Sequence, residues 1–207
     1  MMKKQLQRGF TLVEIAIVLV IIGLLLGGAL KGQEMIQNAK IKNIKRDFDQ
    51  YVAAFYSYQD RYRTLAGDDA AADTHVGGTK PAANKAGNGF IDTGAWDTDL
   101  AASDANESGL FWEHIRAAGL ISGSGANLPT NAMGGKVGIG YGLVSLTNSH
   151  VFCFSGIEAE TAVILDASYD DGDAKTGAVR GIGGDNGALT DKSDYTGNYK
   201  NQLCFQI

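Results

Sequence analysis

The hydrophobic pattern of the chain is dominated by an apolar run near its start. Residues 10–30 form an almost uninterrupted stretch of 21 residues whose one charged side chain is Glu14. A helix of this length spans about 31 Å, at about 1.5 Å per residue, which is enough to cross the hydrocarbon core of a bilayer. The run therefore predicts a membrane-spanning helix.

Beyond the run, apolar residues recur at spacings of three and four, with charged residues on the other faces. They are Ile41, Ile44, Phe48, Val52, Phe55, Tyr58, Tyr62 and Leu65. This period is typical of an amphipathic helix that packs one face on a core, so we interpret the aromatic members as core residues rather than as a path for electrons. The helix is predicted to continue over residues 31–66, with Gly67 as its C-terminal cap.

The pattern after Gly67 predicts a loop region followed by a mixture of short elements. Residues 67–107 are rich in Gly, Ala and Asp and favour a long loop. Residues 108–120 predict a helix that Ser108 caps and Gly119 ends. Ser155 and Glu158 have capping-box spacing, which favours a helix over residues 157–169, although its β-branched residues are equally compatible with a strand.

Several short segments carry strand signals. They are residues 136–146, 149–154, 179–182 and 202–207. The expected fold class is α+β, in which a long N-terminal helix, transmembrane in one half and amphipathic in the other, packs on a small antiparallel β-sheet.

The nine residues before the apolar run are polar, and three of them, Lys3, Lys4 and Arg8, are basic. Positive charge on that side places it in the cytoplasm and the remainder of the chain outside. A secretory signal is cleaved after its apolar region, whereas here the polar-to-apolar junction, between Gly9 and Phe10, precedes it. Cleavage at this junction would leave the helix on the product, with a free amine on Phe10.

Glu14 requires compensation because a carboxylate within a membrane helix costs about 2.5–3.5 kcal/mol, and less near the helix end. The amine of Phe10 would lie one helical turn away on the same face, or would come from a neighbouring subunit. Such a pair would set the register between packed helices. The alternative is an interfacial carboxylate that reaches the lipid headgroups.

The segment from Gly9 to Glu14, Gly-Phe-Thr-Leu-Val-Glu, resembles the cleavage and methylation signature of type IV pilins and type II secretion pseudopilins. The resemblance implies that a membrane prepilin peptidase cuts after Gly9 and methylates Phe10, and that Glu14 guides assembly. Many type IV pilins have a proline within the span, whereas this chain has Gly27, Gly28 and Gly32.

The resemblance also implies a pilin-like organisation and a route to the cell surface. The expected regions are a leader (1–9), an assembly helix (10–30), an amphipathic helix (31–66) and a globular head (67–207). The subunit would sit in the bacterial inner membrane with its head in the periplasm. An inner-membrane assembly platform would then add it to a periplasmic or cell-surface filament by self-association.

The net charge bears on nucleic-acid binding, and the cysteine count bears on disulfide formation. Without the leader, 15 basic side chains face 23 acidic ones, a net charge of −8. This argues against general nucleic-acid binding, which depends on Lys and Arg. Cys153 and Cys204 are the two cysteines, and an even count in a translocated domain predicts one disulfide; two buried free thiols would be expected in a cytosolic protein.

The later part of the chain offers one weak metal candidate. Asp166, Asp170, Asp171 and Asp173 surround Gly172, and oxygen-rich loops of this kind hold Ca²⁺. Their spacing does not fit an EF-hand, so a solvated turn is the favoured interpretation, and no other cofactor is expected.

No catalytic arrangement is evident in the sequence. His75, His114 and His150 lack the spacing of metal ligands, and no nucleophile is paired with a base, so the chain is predicted not to be an enzyme. The leading hypothesis is a structural subunit, either of a pilus for adhesion, motility or DNA uptake or of a secretion pseudopilus. The alternatives are a minor tip subunit that binds a ligand or secreted substrate through residues 67–107, and a membrane-anchored periplasmic enzyme.

Overall fold

The structure, a computed structural model, describes residues 11–92, 106–142, 148–183, 190–191 and 201–207. Gly9 and Phe10, the predicted processing residues, lie outside the described residues with the rest of the leader. The chain divides into two compact units, residues 1–40 and 41–207.

Helix α1 (Leu12–Tyr62) begins in the first unit and ends in the second. The other elements are, in chain order, α2 (Ala72–His75), α3 (Glu107–Ala117), β1 (Val137–Tyr141), β2 (His150–Ile157), α4 (Ala159–Tyr169), β3 (Val179–Gly183), β4 (Thr190–Asp191) and β5 (Asn201–Gln206). The strands form one sheet in the order β1-β2-β5-β3-β4, and each neighbouring pair is antiparallel. The α+β fold class is confirmed.

Helix α1 is continuous through Gly27, Gly28 and Gly32 but ends four residues before the predicted end at Ala66. The reason is Arg63, whose φ of 61° lies in the left-handed region while its N–H still donates to Gln59 O at 2.8 Å. A residue in this conformation cannot propagate a right-handed helix. The predicted cap at Gly67 is therefore wrong, because the cap position is held by Arg63.

The amphipathic part of α1 packs on the sheet through aromatic side chains. The Phe48 ring lies 4.7 Å from that of Phe205, and the Tyr51 ring lies 6.0 Å from that of Phe152. Trp112 of α3 meets Tyr51 edge-on at 4.9 Å and is fully buried. Aromatic pairs of this kind contribute about 0.5–1.5 kcal/mol each beyond their buried area. The interpretation of the aromatic stripe as core is confirmed.

The predicted disulfide is present between Cys153 of β2 and Cys204 of β5. The two residues are directly opposite each other in the antiparallel register, and both are buried. Closing the loop between them stabilises the folded state by about 4 kcal/mol in the chain-entropy model. The bond joins the last strand, which is the central strand of the sheet, covalently to its neighbour β2.

Helix α3 begins and ends with recognisable caps. Asn106 Oδ1 accepts the N–H of Gly109 at 3.1 Å, so the predicted cap at Ser108 is wrong. Ser108 Oγ instead donates to Ile139 O at 2.6 Å, which ties the helix to the edge strand β1. Gly119, with a φ of 70°, ends the helix as predicted.

Strand β2 is longer than predicted because it contains a bulge. Its register with β5 shifts between Phe154 and Ile157, where Gly156 has a φ of 74°. The bulge keeps Ser155 in the strand, where its Oγ accepts the N–H of Lys136 at 2.7 Å. The predicted capping box of Ser155 with Glu158 is therefore wrong, although helix α4 itself forms as predicted.

Gly67, which follows α1 in the chain, allows the backbone at this position to lie close to the backbone of α3. Its φ is 90°, and a Cβ atom built there would lie 2.5 Å from Glu107 O. Gly77 has a similar φ of 70°, but a Cβ atom there would meet nothing within 4 Å. Comparing Gly67 with Gly77 separates the cost of the left-handed φ, which both positions share, from the cost of steric overlap, which arises at Gly67.

We expect Gly67→Ala to lower the free energy of unfolding by about 3 kcal/mol and Gly77→Ala to lower it by about 1 kcal/mol. Urea unfolding of the detergent-solubilised protein, followed by tryptophan fluorescence, measures both. Equal losses for the two variants would show that the steric overlap with Glu107 O adds nothing to the cost of the left-handed φ.

Candidate assembly site

The first half of α1 presents an apolar surface that the described residues leave uncovered. Every residue from 11 to 30 is exposed, with Leu12 at 86% and Leu24 at 73%. By length and composition this helix can cross a membrane. Monomeric soluble proteins rarely expose apolar patches of more than a few hundred Å², so this surface requires lipid or other apolar chains around it.

Glu14 and Thr11 form a capping box at the start of α1. The backbone N–H and the Oγ of Thr11 both donate to Glu14 Oε2, each at 2.8 Å. In return, the N–H of Glu14 donates to Thr11 Oγ at 3.2 Å. This exchange satisfies donors that the first turn of a helix otherwise leaves free. It explains why the helix begins directly after Thr11.

The capping box also fixes where the carboxylate lies. Glu14 is the one charged residue between residues 11 and 30, and no basic group of the described residues lies within ion-pair distance of it. Its partners are thus neutral donors of its own helix. Sequence reasoning identified Glu14 and missed Thr11, although the Thr-x-x-Glu spacing is itself the signal of a capping box.

The acidic loop after α4 brings three of its four predicted aspartates together. One oxygen from each of Asp166, Asp170 and Asp171 lies within 4.8 Å of the others, and Asp173 is not a member of this group. These carboxylates already accept hydrogen bonds from the loop: Asp166 Oδ1 from the N–H of Gly172 at 3.1 Å and Asp170 Oδ2 from the N–H of Val179 at 3.3 Å. The loop is thereby closed by its own backbone, and Ca²⁺ at this place stays a prediction.

Two buried aspartates that sequence reasoning did not identify follow the end of α1. Asp68 accepts three backbone N–H groups, from Gly87 at 2.5 Å, Asn88 at 3.1 Å and Gly89 at 2.7 Å. Burial raises the pKa of Asp68 above its ordinary value, while these three donors act in the opposite direction. Asp68 thus holds the 87–89 turn against the start of the same segment.

The neighbouring Asp69 joins α1 to α2. Its Oδ2 accepts the Tyr58 hydroxyl at 2.7 Å and lies 2.7 Å from Nδ1 of His75. Burial acts to raise the pKa of Asp69, but the hydrogen bonds from His75 and Tyr58 outweigh it and lower the pKa below its ordinary value. Of the loop predicted over residues 67–107, residues 67–92 have buried polar anchors and contain the short helix α2, and residues 106–107 begin α3. Residues 93–105 lie outside the described part of the chain.

The three histidines are not brought together as metal ligands in the described structure. His75 lies against Asp69, His114 contacts the backbone of Gly67 and Thr79, and His150 contacts the backbone of Ile91. Each imidazole is engaged in a separate contact, so no shared site is formed.

Comparison with known proteins adds one specific match. Residues 4–30 match the family model described as the prokaryotic N-terminal methylation motif, which confirms the resemblance of the N-terminal segment. No curated protein matches the chain significantly. Among solved structures, the major type IV pilin PilA1 from Clostridium difficile is similar over 83% of this chain and 96% of its own, with 11% identity and a TM-score of 0.42.

We expect millimolar Ca²⁺ to raise the melting temperature of the purified protein by about 3 °C if the acidic loop binds the ion. Differential scanning fluorimetry with Ca²⁺ and with a chelator measures the shift. Asp170→Asn should abolish it, and Asp173→Asn, outside the oxygen group, should retain it. Identical melting curves with and without Ca²⁺ would exclude the site.

Proposed function

We propose that the chain is a structural subunit of a type IV-like filament, cut after Gly9 and assembled through the first half of α1. One observation carries the proposal: an exposed apolar helix surface whose single charge, Glu14, is held at the helix start. The N-terminal methylation motif over residues 4–30 supports it, because the proposal requires methylation of a new N-terminus within this segment.

The apolar surface has to be covered both before and after assembly, by lipid in the first state and by sister subunits in the second. Before assembly, lipid covers the side chains of residues 12–30, and the basic leader remains on the cytoplasmic side of the inner membrane. During assembly, equivalent side chains of sister subunits replace the lipid. A membrane prepilin peptidase and an assembly platform are the partners that this route requires, and the product is a periplasmic or cell-surface filament.

The carboxylate of Glu14 gives the assembly step its specificity. In the isolated chain the Thr11 donors satisfy Glu14, which lowers the cost of keeping a charge in the membrane. Removal of residues 1–9 creates an amine on Phe10, and this amine pairs with Glu14 of a neighbouring subunit. A charge pair in an apolar surrounding is sensitive to position, so it selects one register between otherwise featureless helices.

The rest of the chain contributes stability rather than chemistry to this role. The second unit, residues 41–207, has an aromatic core, a disulfide and buried polar anchors. A structural subunit that leaves the cytoplasm requires these features. The alternative of a minor tip subunit differs in one outcome, because filaments would still form when this chain is deleted.

We predict that the membrane-extracted protein lacks residues 1–9 and carries one added methyl group on Phe10. Intact-mass spectrometry measures both changes in one experiment. A Gly9→Val variant should retain the leader, because the resemblance places the cut directly after this glycine. A wild-type chain that keeps all nine residues would contradict the proposal.

Glu14→Gln should leave membrane insertion unchanged and reduce filament formation at least about tenfold, because the neutral amide cannot form an ion pair with the Phe10 amine. Glu34→Gln is the matched control, since Glu34 lies on the same helix and pairs with the exposed Lys31. Shearing the cells and quantifying the filament fraction against the membrane fraction distinguishes the variants. Equal filament yields for Glu14→Gln and Glu34→Gln would refute the role of Glu14.

A further inference from the structure

Residues 67–92 are attached to the body of the second unit at three backbone positions by two histidines. The N–H of Gly67 donates to Nδ1 of His114 at 3.0 Å, and Nε2 of the same ring lies 2.7 Å from Thr79 O. The N–H of Ile91 donates to Nε2 of His150 at 3.2 Å. The two rings thus hold both ends and the middle of the segment.

These contacts specify the protonation state of each ring. A ring nitrogen that accepts a hydrogen bond from a backbone N–H carries no proton itself. His114 must therefore be neutral with its proton on Nε2, where it donates to Thr79 O. His150 must be neutral with its proton on Nδ1. A second proton on His114 would lie on Nδ1 and face the N–H of Gly67, so that two donors would oppose each other. A second proton on His150 would lie on Nε2 and face the N–H of Ile91 in the same way.

We propose that His114 and His150 form an acid-sensitive clasp that holds residues 67–92 on α3 and β2 at neutral pH and releases them in acid. The clasp goes beyond filament assembly, because it concerns the surface of the second unit and involves no residue of the first. A protein outside the cytoplasm is exposed to the pH of its surroundings, so the clasp would make the exposed surface depend on that pH.

The groups around His114 act on its pKa in opposite directions. The Tyr58 ring stacks on the imidazole of His114 with 6.1 Å between the ring centres, and both residues are completely buried. Burial lowers the pKa of His114 below its ordinary value, while Thr79 O and the negative charges of Glu113 and Asp69 favour the protonated form. The geometry at Gly67 and the burial thus oppose protonation, and the two acids oppose them without reversing the direction of the pKa shift.

The surroundings of His150 are aromatic. Its ring lies 5.5 Å from the Phe55 ring and 5.2 Å from the Tyr141 ring. Burial lowers the pKa of His150 to about 4, and no charged group contributes to the shift. This end of the segment therefore opens at lower pH than an exposed histidine would titrate.

The sign of the pH dependence follows from these shifts. A histidine whose pKa is lower in the folded than in the unfolded state adds stability above its unfolded pKa of about 6.5. That stability is lost as the pH falls from about 6.5 toward the folded value, which for His150 is about 4. The clasp is thus closed at neutral pH and weakens progressively over this window.

Among the other contacts of the segment, Asp68 acts in the opposite direction, because burial raises its pKa and a carboxyl with a raised pKa adds stability as the pH falls. Asp69, whose pKa is lowered, stays ionised in the upper part of the window. Tyr141 N–H donates to Ile91 O at 2.7 Å, and the N–H of Thr79 donates to Glu113 Oε1 at 2.9 Å. Neutral amides do not change charge, and carboxylates ordinarily protonate near pH 4. Loss of protection that starts near pH 6 would accordingly report the histidines and not the acids.

Hydrogen exchange of the full chain in detergent micelles, from about pH 7.5 to about pH 5 and corrected for intrinsic exchange rates, tests the clasp. Protection of the Gly67 and Ile91 amides should fall at least about tenfold relative to that of β2 and β5 amides. His150→Gln keeps an acceptor oxygen for Ile91 N–H but does not titrate, so it should remove the fall at Ile91 and leave that at Gly67.

His75→Gln is the control, because His75 lies against Asp69 rather than accepting a backbone N–H, and its profile should match the wild type. A parallel fall in all amides, or an unchanged profile in His150→Gln, would overturn the proposal. NMR titration of the imidazole protons gives a test without substitution. The clasp requires both rings to be neutral at about pH 7, and a protonated His114 or His150 at that pH would refute it.

Discussion

The structure depends on one constraint: residues 12–30 form a helix whose apolar side chains no described part of the chain covers. Such a surface is stable in lipid or against other apolar helices, and it is unstable in water. A single carboxylate, Glu14, interrupts it. The Thr11 donors make this carboxylate tolerable in the isolated chain, and they leave it available to a stronger partner. Membrane anchoring and the proposed assembly would both use this one surface.

Residues 41–207 form a separate compact unit with its own core. The aromatic face of α1 packs on a five-stranded sheet, and the bond between Cys153 and Cys204 ties its central strand β5 to β2. Buried polar groups then attach residues 67–92, through Asp68, Asp69 and the two clasp histidines. The core, the disulfide and these buried anchors all lie within residues 41–207.

Sequence alone predicted the features that repeat or that follow from composition. The three-and-four spacing from Ile41 identified the core face of α1, and the two cysteines predicted their bond. It did not predict Arg63 as the helix end, because a left-handed φ at a non-glycine residue depends on the contacts that follow it. Asp68 and Asp69 were missed for a related reason: their partners lie up to 21 residues away, and no local pattern marks them.

The central claim is tested most directly by the structure of the assembled filament, determined by electron cryomicroscopy at a resolution that shows side chains. The account predicts that residues 12–30 of each subunit are buried among the equivalent helices of its neighbours. It also predicts that every Glu14 carboxylate lies within ion-pair distance of a Phe10 amine. Helices that face water in the filament, or a Glu14 whose nearest partner remains its own Thr11, would contradict it.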